Sequence, residues 1–192
     1  MVTEVLLNGR VKRNFIVDSG ASYTLIDRGT ARDLGIIVDE YTPFIPVTTV
    51  SDVFLTPLVT LKSIRVGQAE VENVDALIYT MPSGQEGLLG NSFLGRFRMV
   101  LDSVNAKMTL YPAQGISSPD RPGGYDRDYW IGRFRFLHYN LGVLKKVKTS
   151  YEKKGAGTEL NRINNAIRYF ENQLGEWERK ASLAGVPHNW RQ

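Results

Sequence analysis

The sequence predicts a mainly β domain followed by an α-helical hairpin. Three observations carry that prediction. About the first 115 residues are short apolar and β-branched runs broken by Gly, Asn and Asp, the pattern of many short strands in a barrel or sandwich. Residues 115–128, GISSPDRPGGYDRD, have the composition of a linker. Beyond them the apolar period changes to that of helices. The expected domains are therefore 1–114 and 129–192, joined by the linker 115–128.

Each element follows from local chemistry. Val2–Leu7 alternates as a strand, Asn8-Gly9 is a hairpin turn, and Arg13–Val17 returns. Leu25 and Ile26 form a short strand, and Thr30–Leu34 reads as a short helix stopped by Gly35. Strands are expected over Phe44–Val50, Val53–Leu61, Ser63–Val66, Val71–Ile78, Met99–Leu101 and Lys107–Tyr111. Pro57 predicts an edge or a bulge within its run. Trp130, Phe134, Leu137, Leu141 and Leu144 then step by heptad-like intervals, as do Leu160, Ile163, Ile167, Phe170, Leu174 and Trp177. Lys153–Gly157 is a flexible turn between the two stripes, and Thr158 is the expected cap of the second helix. Gly185-Val186-Pro187 should end that helix.

Composition excludes several chemistries. There is no cysteine, so thiol catalysis, disulfides and Cys-based metal sites are absent. The two histidines, His138 and His188, lie far apart and poorly support a metal cluster or a Ser-His triad. No metal or other cofactor is expected. The net charge of +4 is uneven. Residues up to 124 carry 11 Lys/Arg against 13 Asp/Glu, and the remainder 13 against 7. The basic character thus belongs to the helical part, a contrast that suggests two regions with different tasks. Arg127, Arg133, Arg135, Lys145, Lys146 and Lys148 lie among aromatic residues there. An anionic membrane surface or a nucleic-acid surface is one reading of them. The preferred one is a packed stripe with a solvated basic face, with membrane contact weakly supported and no nucleic acid expected. No apolar run is long enough to span a membrane, and the opening lacks the basic-then-apolar order of a signal peptide. The strand-like alternation begins at once, so a natural upstream segment is expected, as in a fragment of a longer or membrane-tethered protein. The compartment stays open.

The chemistry-bearing segment is Phe15-Ile16-Val17-Asp18-Ser19-Gly20-Ala21-Ser22. An apolar strand runs directly into Asp-Ser-Gly-Ala, which fixes the carboxylate rigidly. Ser19 can hydrogen-bond locally, and Gly20 permits a sharp turn with backbone close to the carboxylate. Alone, Asp-Ser-Gly is better explained by an ordinary turn. Three further features follow in order: the hairpin candidate Val47–Phe54, the run Glu86-Gly87-Leu88-Leu89-Gly90-Asn91-Ser92-Phe93-Leu94, and a short helix with a final hairpin.

In this order the chain, over roughly residues 1–112, resembles the retropepsin-like aspartic peptidases, particularly their bacterial members. The resemblance implies a closed β-barrel of the half-pepsin kind before the helical hairpin. It implies that Asp18 is catalytic within the active-site loop Ser19, Gly20 and Ala21, with Ser19 tying two such loops together across a dimer axis. Leu88, Leu89 and Gly90 would support the loop structurally. Thr49, Val50, Ser51, Asp52 and Val53 would form the flap over substrate, here without the glycine that many relatives carry.

A dyad needs two Asp-Ser/Thr-Gly loops and the chain has one. Asp102-Ser103 is followed by Val and Asn, and reads as a turn. The implied active unit is a homodimer, with one Asp18 from each copy on the two-fold axis, hydrolysing bonds in a protein or peptide substrate. Acidic to mildly acidic pH should favour activity. The alternative is a catalytically silent barrel used for dimerisation or binding, with the helical hairpin as its working surface.

Overall fold

The structure, a computed structural model, describes residues 1–48, 53–82, 84–102, 104–105, 107–154 and 157–192; the side chains of Thr48, Val53 and Lys154 also lie outside the description. The chain forms two compact units. One comprises Met1–Asp39 and Thr56–Ala113, the other Glu40–Leu55 and Gln114–Gln192.

The first unit is a closed barrel. β1 (Val2–Leu7) pairs antiparallel with β2 (Val11–Val17) through the Asn8-Gly9 turn, where both residues adopt positive φ, as a tight hairpin of this type requires. β3 (Thr24–Ile26) leads into the helix α1 (Arg28–Asp33). β5 (Val53–Val66) pairs with β6 (Ala69–Ile78), and β7 (Gly87–Leu89) lies between β2 and β3. The strand order β1-β2-β7-β3-β6-β5 closes on itself because β1 also pairs with β5 at Leu6↔Arg65 and Leu7↔Ile64. The barrel, not the sandwich, is therefore the outcome. Val5, Leu7, Phe15, Ile26, Leu61, Ile64 and Leu89 belong to its core, all fully buried. The helix α2 (Asn91–Leu94) adds Phe93, and the separate hairpin of β8 (Phe97–Asp102) and β9 (Lys107–Pro112) packs Met99, Met108 and Leu110 against this core.

Several boundaries differ from the sequence reading. Val53–Leu61 and Ser63–Val66 are a single strand, with Lys62 exposed between buried Leu61 and Ile64. Pro57 has no N–H to give, and beside it the Thr56 hydroxyl donates to the Ile78 carbonyl at 2.7 Å, just before the β5–β6 pairing begins at Leu58↔Leu77. Gly87–Leu89, read as a motif, is itself a strand, too short to carry a periodic signal. The helix expected over Thr30–Leu34 starts at Arg28, because Asp27 caps it by accepting from the Gly29 and Thr30 amides. Gly35 ends it at φ 69°, with the amides of Gly35 and Ile36 donating back to Arg32 and Ala31.

The second unit contains the two long helices, α3 (Arg127–Lys154) and α4 (Gly157–Ala184), which pack on each other. The α3 stripe is buried as expected: Trp130, Phe134, Leu137, Leu141 and Leu144. On α4 the buried positions are Ile163, Ala166, Phe170, Trp177 and Ala181, whereas Leu160, Ile167 and Leu174 are only half-buried. The two alanines allow close approach, a contribution that a search for large apolar residues misses. Trp130 meets Trp177 edge-on at 5.6 Å, and the Arg133 guanidinium lies 4.8 Å from the Trp177 ring centre. Thr158 lies one residue inside α4 and is not its cap. Gly185, at φ 73°, and Val186 close the helix with amide bonds to Ser182 and Ala181, the expected stop.

Residues 115–126 form a hydrogen-bonded loop with a short 3-10 turn at Pro122–Gly124, and Arg127 and Asp128, expected in the linker, open α3. The Gly115 amide donates to the Gly124 carbonyl at 2.8 Å, and the Trp130 indole N–H donates to the Pro122 carbonyl at 2.9 Å. β4 (Phe44–Thr48) belongs to this unit as well. Phe44 and Ile45 are buried, the Arg162 guanidinium lies 4.3 Å from the Phe44 ring centre, and Asn165 Nδ2 donates to the Glu40 carbonyl at 3.1 Å. Among the basic residues of α3, Lys145 faces Glu171 at 3.9 Å and Lys148 faces Glu152 at 3.8 Å. Such exposed pairs add little stability. No helix among the described residues is long and apolar enough to cross a membrane.

Candidate active site

Asp18 is the first residue beyond β2, and the barrel holds it by its backbone. Val17 pairs in parallel with Leu89, and the Asp18 amide donates to the Leu89 carbonyl at 3.1 Å. The loop then turns on itself. The Gly20 amide donates to Asp18 Oδ1 at 2.8 Å, and the Ala21 amide donates to the Asp18 carbonyl at 3.3 Å. A Cβ on Gly20 would lie 3.2 Å from Asp18 Oδ1, closer than most such contacts, so glycine keeps this approach unstrained. Asp18 is half-buried, and Ser19 and Gly20 are exposed. The result is a rigidly based carboxylate that remains accessible.

The Leu-Leu-Gly segment lies directly against this loop. Leu88 pairs with Ile16 on one side and Leu25 on the other, so β7 is gripped by β2 and β3 together. Leu89 and Gly90 are buried. Glycine is required at both ends of the strand. A Cβ at Gly90 would fall 2.2 Å from the Tyr23 carbonyl oxygen, and one at Gly87 would fall 2.3 Å from the Phe15 ring. Sequence reasoning named Leu88, Leu89 and Gly90, and the structure brings all three beside Asp18, Ser19, Gly20 and Ala21.

Three residues escaped that reading. Thr24 is fully buried, and its Oγ1 accepts from the Gly90 amide at 3.3 Å. Ser92 Oγ accepts from the Thr24 amide at 2.9 Å and donates to Thr24 Oγ1 at 3.1 Å. Asn91 donates twice, from its amide nitrogen to the Ala21 carbonyl at 2.8 Å and from Nδ2 to the Ser19 carbonyl at 2.6 Å. The signal was present in part, as polar residues directly after Leu-Leu-Gly, but their partners lie 66 to 72 positions away.

The expected flap residues Thr49, Val50, Ser51 and Asp52 lie outside the described residues, as does the side chain of Val53, whose backbone opens β5. Asp102 is a turn residue. Its carboxylate accepts from the Asn105 side chain and from the Val104 and Asn105 amides, and these bonds, the Asn105 side chain first, hold its carboxyl below the usual range. Asp27 is likewise structural. Partial burial pushes its carboxyl up, but bonds from Thr30 and Gly29 and the nearby Arg13 guanidinium outweigh this and hold it low. Arg13 also bonds Thr30 Oγ1 at 3.0 Å and pairs with Asp33. Among the described residues no group of three or more His, Asp or Glu side chains could hold a metal ion.

In solved structures, the chain is similar to a retropepsin-like aspartic protease from Rickettsia conorii, with 26% identity and a TM-score of 0.46 over 57% of this chain and 81% of that one. It is also similar to the retroviral protease-like domain of Ddi1 from Leishmania major, with 16% identity and a TM-score of 0.42 over 57% and 86%. No curated protein matches it. Residues 3–93, which contain the Asp18 loop and its Leu-Leu-Gly support, match the aspartyl protease family, and that match supports a protease-type function for the chain.

Proposed function

We propose that the chain is an aspartic endopeptidase that acts as a homodimer, with Asp18 of each copy forming the catalytic pair. The observation that carries this reading is the seating of Asp18. A single accessible carboxylate is fixed by the Leu89 carbonyl behind it and receives the Gly20 N–H on Oδ1.

Two carboxyls brought together share one proton, because like charges at short range cannot both ionise. In the proposed reaction, ionised Asp18 of one copy takes a proton from a water molecule as its oxygen attacks the scissile carbonyl carbon. The protonated Asp18 of the second copy donates to the carbonyl oxygen. The tetrahedral diol then collapses: the Asp18 that took the water proton passes it to the amide nitrogen, the second Asp18 takes a proton back from a hydroxyl of the diol as the carbonyl re-forms, and the C–N bond breaks, so that the pair again holds one proton. Ser19 ties the two loops across the axis.

The test is cleavage of a diverse peptide mixture from acidic to neutral pH by the wild type and Asp18→Asn, with oligomeric state measured in the same samples. Wild-type cleavage that falls by on the order of 10²–10⁴-fold in Asp18→Asn supports the reading. A well-populated wild-type dimer that cleaves nothing overturns it and favours a silent dimerisation module.

A further inference from the structure

Asp18 does not meet Asn91 directly, yet the two are joined through one peptide unit. The Ser19 carbonyl and the Gly20 N–H belong to the same planar amide. Asn91 Nδ2 donates to that carbonyl at 2.6 Å, and the Gly20 N–H at its other end donates to Asp18 Oδ1 at 2.8 Å. The orientation of the Asn91 amide is fixed by chemistry, since its flipped form would set oxygen against oxygen at this distance. Asn91 is itself held at its backbone, where its amide donates to the Ala21 carbonyl at 2.8 Å.

We infer that Asn91 is a positioning residue, orienting the Ser19–Gly20 peptide so that its N–H is aimed at the Asp18 carboxylate. This rests on the reading of Asp18 as catalytic. Two effects follow from the geometry. A carbonyl that accepts a hydrogen bond makes the N–H of its own amide a stronger donor. An amide clamped at one end also cannot rotate, so the carboxylate oxygen it holds stays in place. Asparagine suits the task because it is short and donates. Aspartate at this position has no hydrogen to give, and alanine leaves the Ser19 carbonyl to solvent. Asn91 is exposed, so its replacement spares the core.

The test compares the wild type with Asn91→Ala and Asn91→Leu, the latter matching the shape of asparagine without its donor. The Gly20 amide is followed by NMR resonance position and hydrogen exchange, beside kcat, KM and thermal midpoint. The expected result is an upfield move of the Gly20 amide proton, with exchange faster by about 5–10-fold, the loss of roughly one hydrogen bond. A kcat lower by about 10-fold at unchanged KM should accompany it, with little change in midpoint. An unmoved Gly20 amide, whether or not the midpoint falls, overturns the inference. A Gly20 amide that moves in a protein whose wild type cleaves no peptide upholds the positioning geometry and removes the peptidase reading alone.

Discussion

The hydroxyls of Thr24 and Ser92 lie 3.1 Å apart, and between them they satisfy the backbone amides of Gly90 and Thr24. These two residues pin β3, after the Asp18 loop, to the helix α2, after the Leu-Leu-Gly strand. Thr24→Val keeps the shape and removes the hydroxyl, leaving the buried Gly90 N–H without its acceptor. An unsatisfied buried donor costs about 1–3 kcal/mol. Urea unfolding should show that loss, and a value near zero would mean that water or a shifted Ser92 replaces the bond.

Gly90→Ala should be worse tolerated than its chemistry suggests. The added methyl would meet the Tyr23 carbonyl at 2.2 Å, and backbone on both sides leaves it no room. Overpacking of this kind costs about 1–3 kcal/mol or more. The same substitution at Gly132, where the added methyl meets nothing within 4 Å, serves as the control and should be neutral or mildly stabilising because it lies in a helix.

Asp27 provides a pH-dependent test. Its folded-state carboxyl is held below the unfolded value of 3.8. A depressed carboxyl contributes stability that is fully present above the unfolded value and is lost as pH falls through the folded one. Asp27→Ala should cost about 0.5–2 kcal/mol at neutral pH through loss of the α1 cap. Stability curves for variant and wild type should then converge as pH falls below 3.8. Parallel curves across that window would show that the carboxylate charge is immaterial.

In the helical unit, the Phe44 ring under the Arg162 guanidinium offers a coupling measurement. Arg162 Nε is buried with no hydrogen-bond partner, so the ring face is a principal compensation for that group. A double-mutant cycle of Phe44→Leu and Arg162→Met should give a coupling of about 0.5–2 kcal/mol. Additive effects would mean that the ring and the cation act independently.

Much of this architecture was legible because it is local. Alternation placed β1, β2 and β6, the Asn8-Gly9 turn and the stops at Gly35 and Gly185 were readable from two or three residues, and the α3 stripe from Trp130 to Leu144 was a simple period. Asp18, Ser19, Gly20 and the Leu88-Leu89-Gly90 segment were legible as an ordered set of motifs. Other features were not, for definable reasons. β7 is too short to show a period. The stripe of α4 depends on Ala166 and Ala181, whose burial reflects close helix approach and not their own hydrophobicity. Residues 44–48 read as an ordinary strand, and only contact with α3 and α4 assigns β4 to the helical unit.

The sequence alone determined which residues could alternate, turn, cap and carry an accessible carboxylate, because each of those properties is set by a side chain and its nearest neighbours. The tertiary structure decided what those residues meet. Closure of β1 on β5 selected a barrel over a sandwich, and the insertion of β7 between β2 and β3 brought Asn91 to Ser19 and Ser92 to Thr24. Those contacts join positions about seventy residues apart, and their geometry exists only once the barrel has closed and fixed the backbones on which they depend.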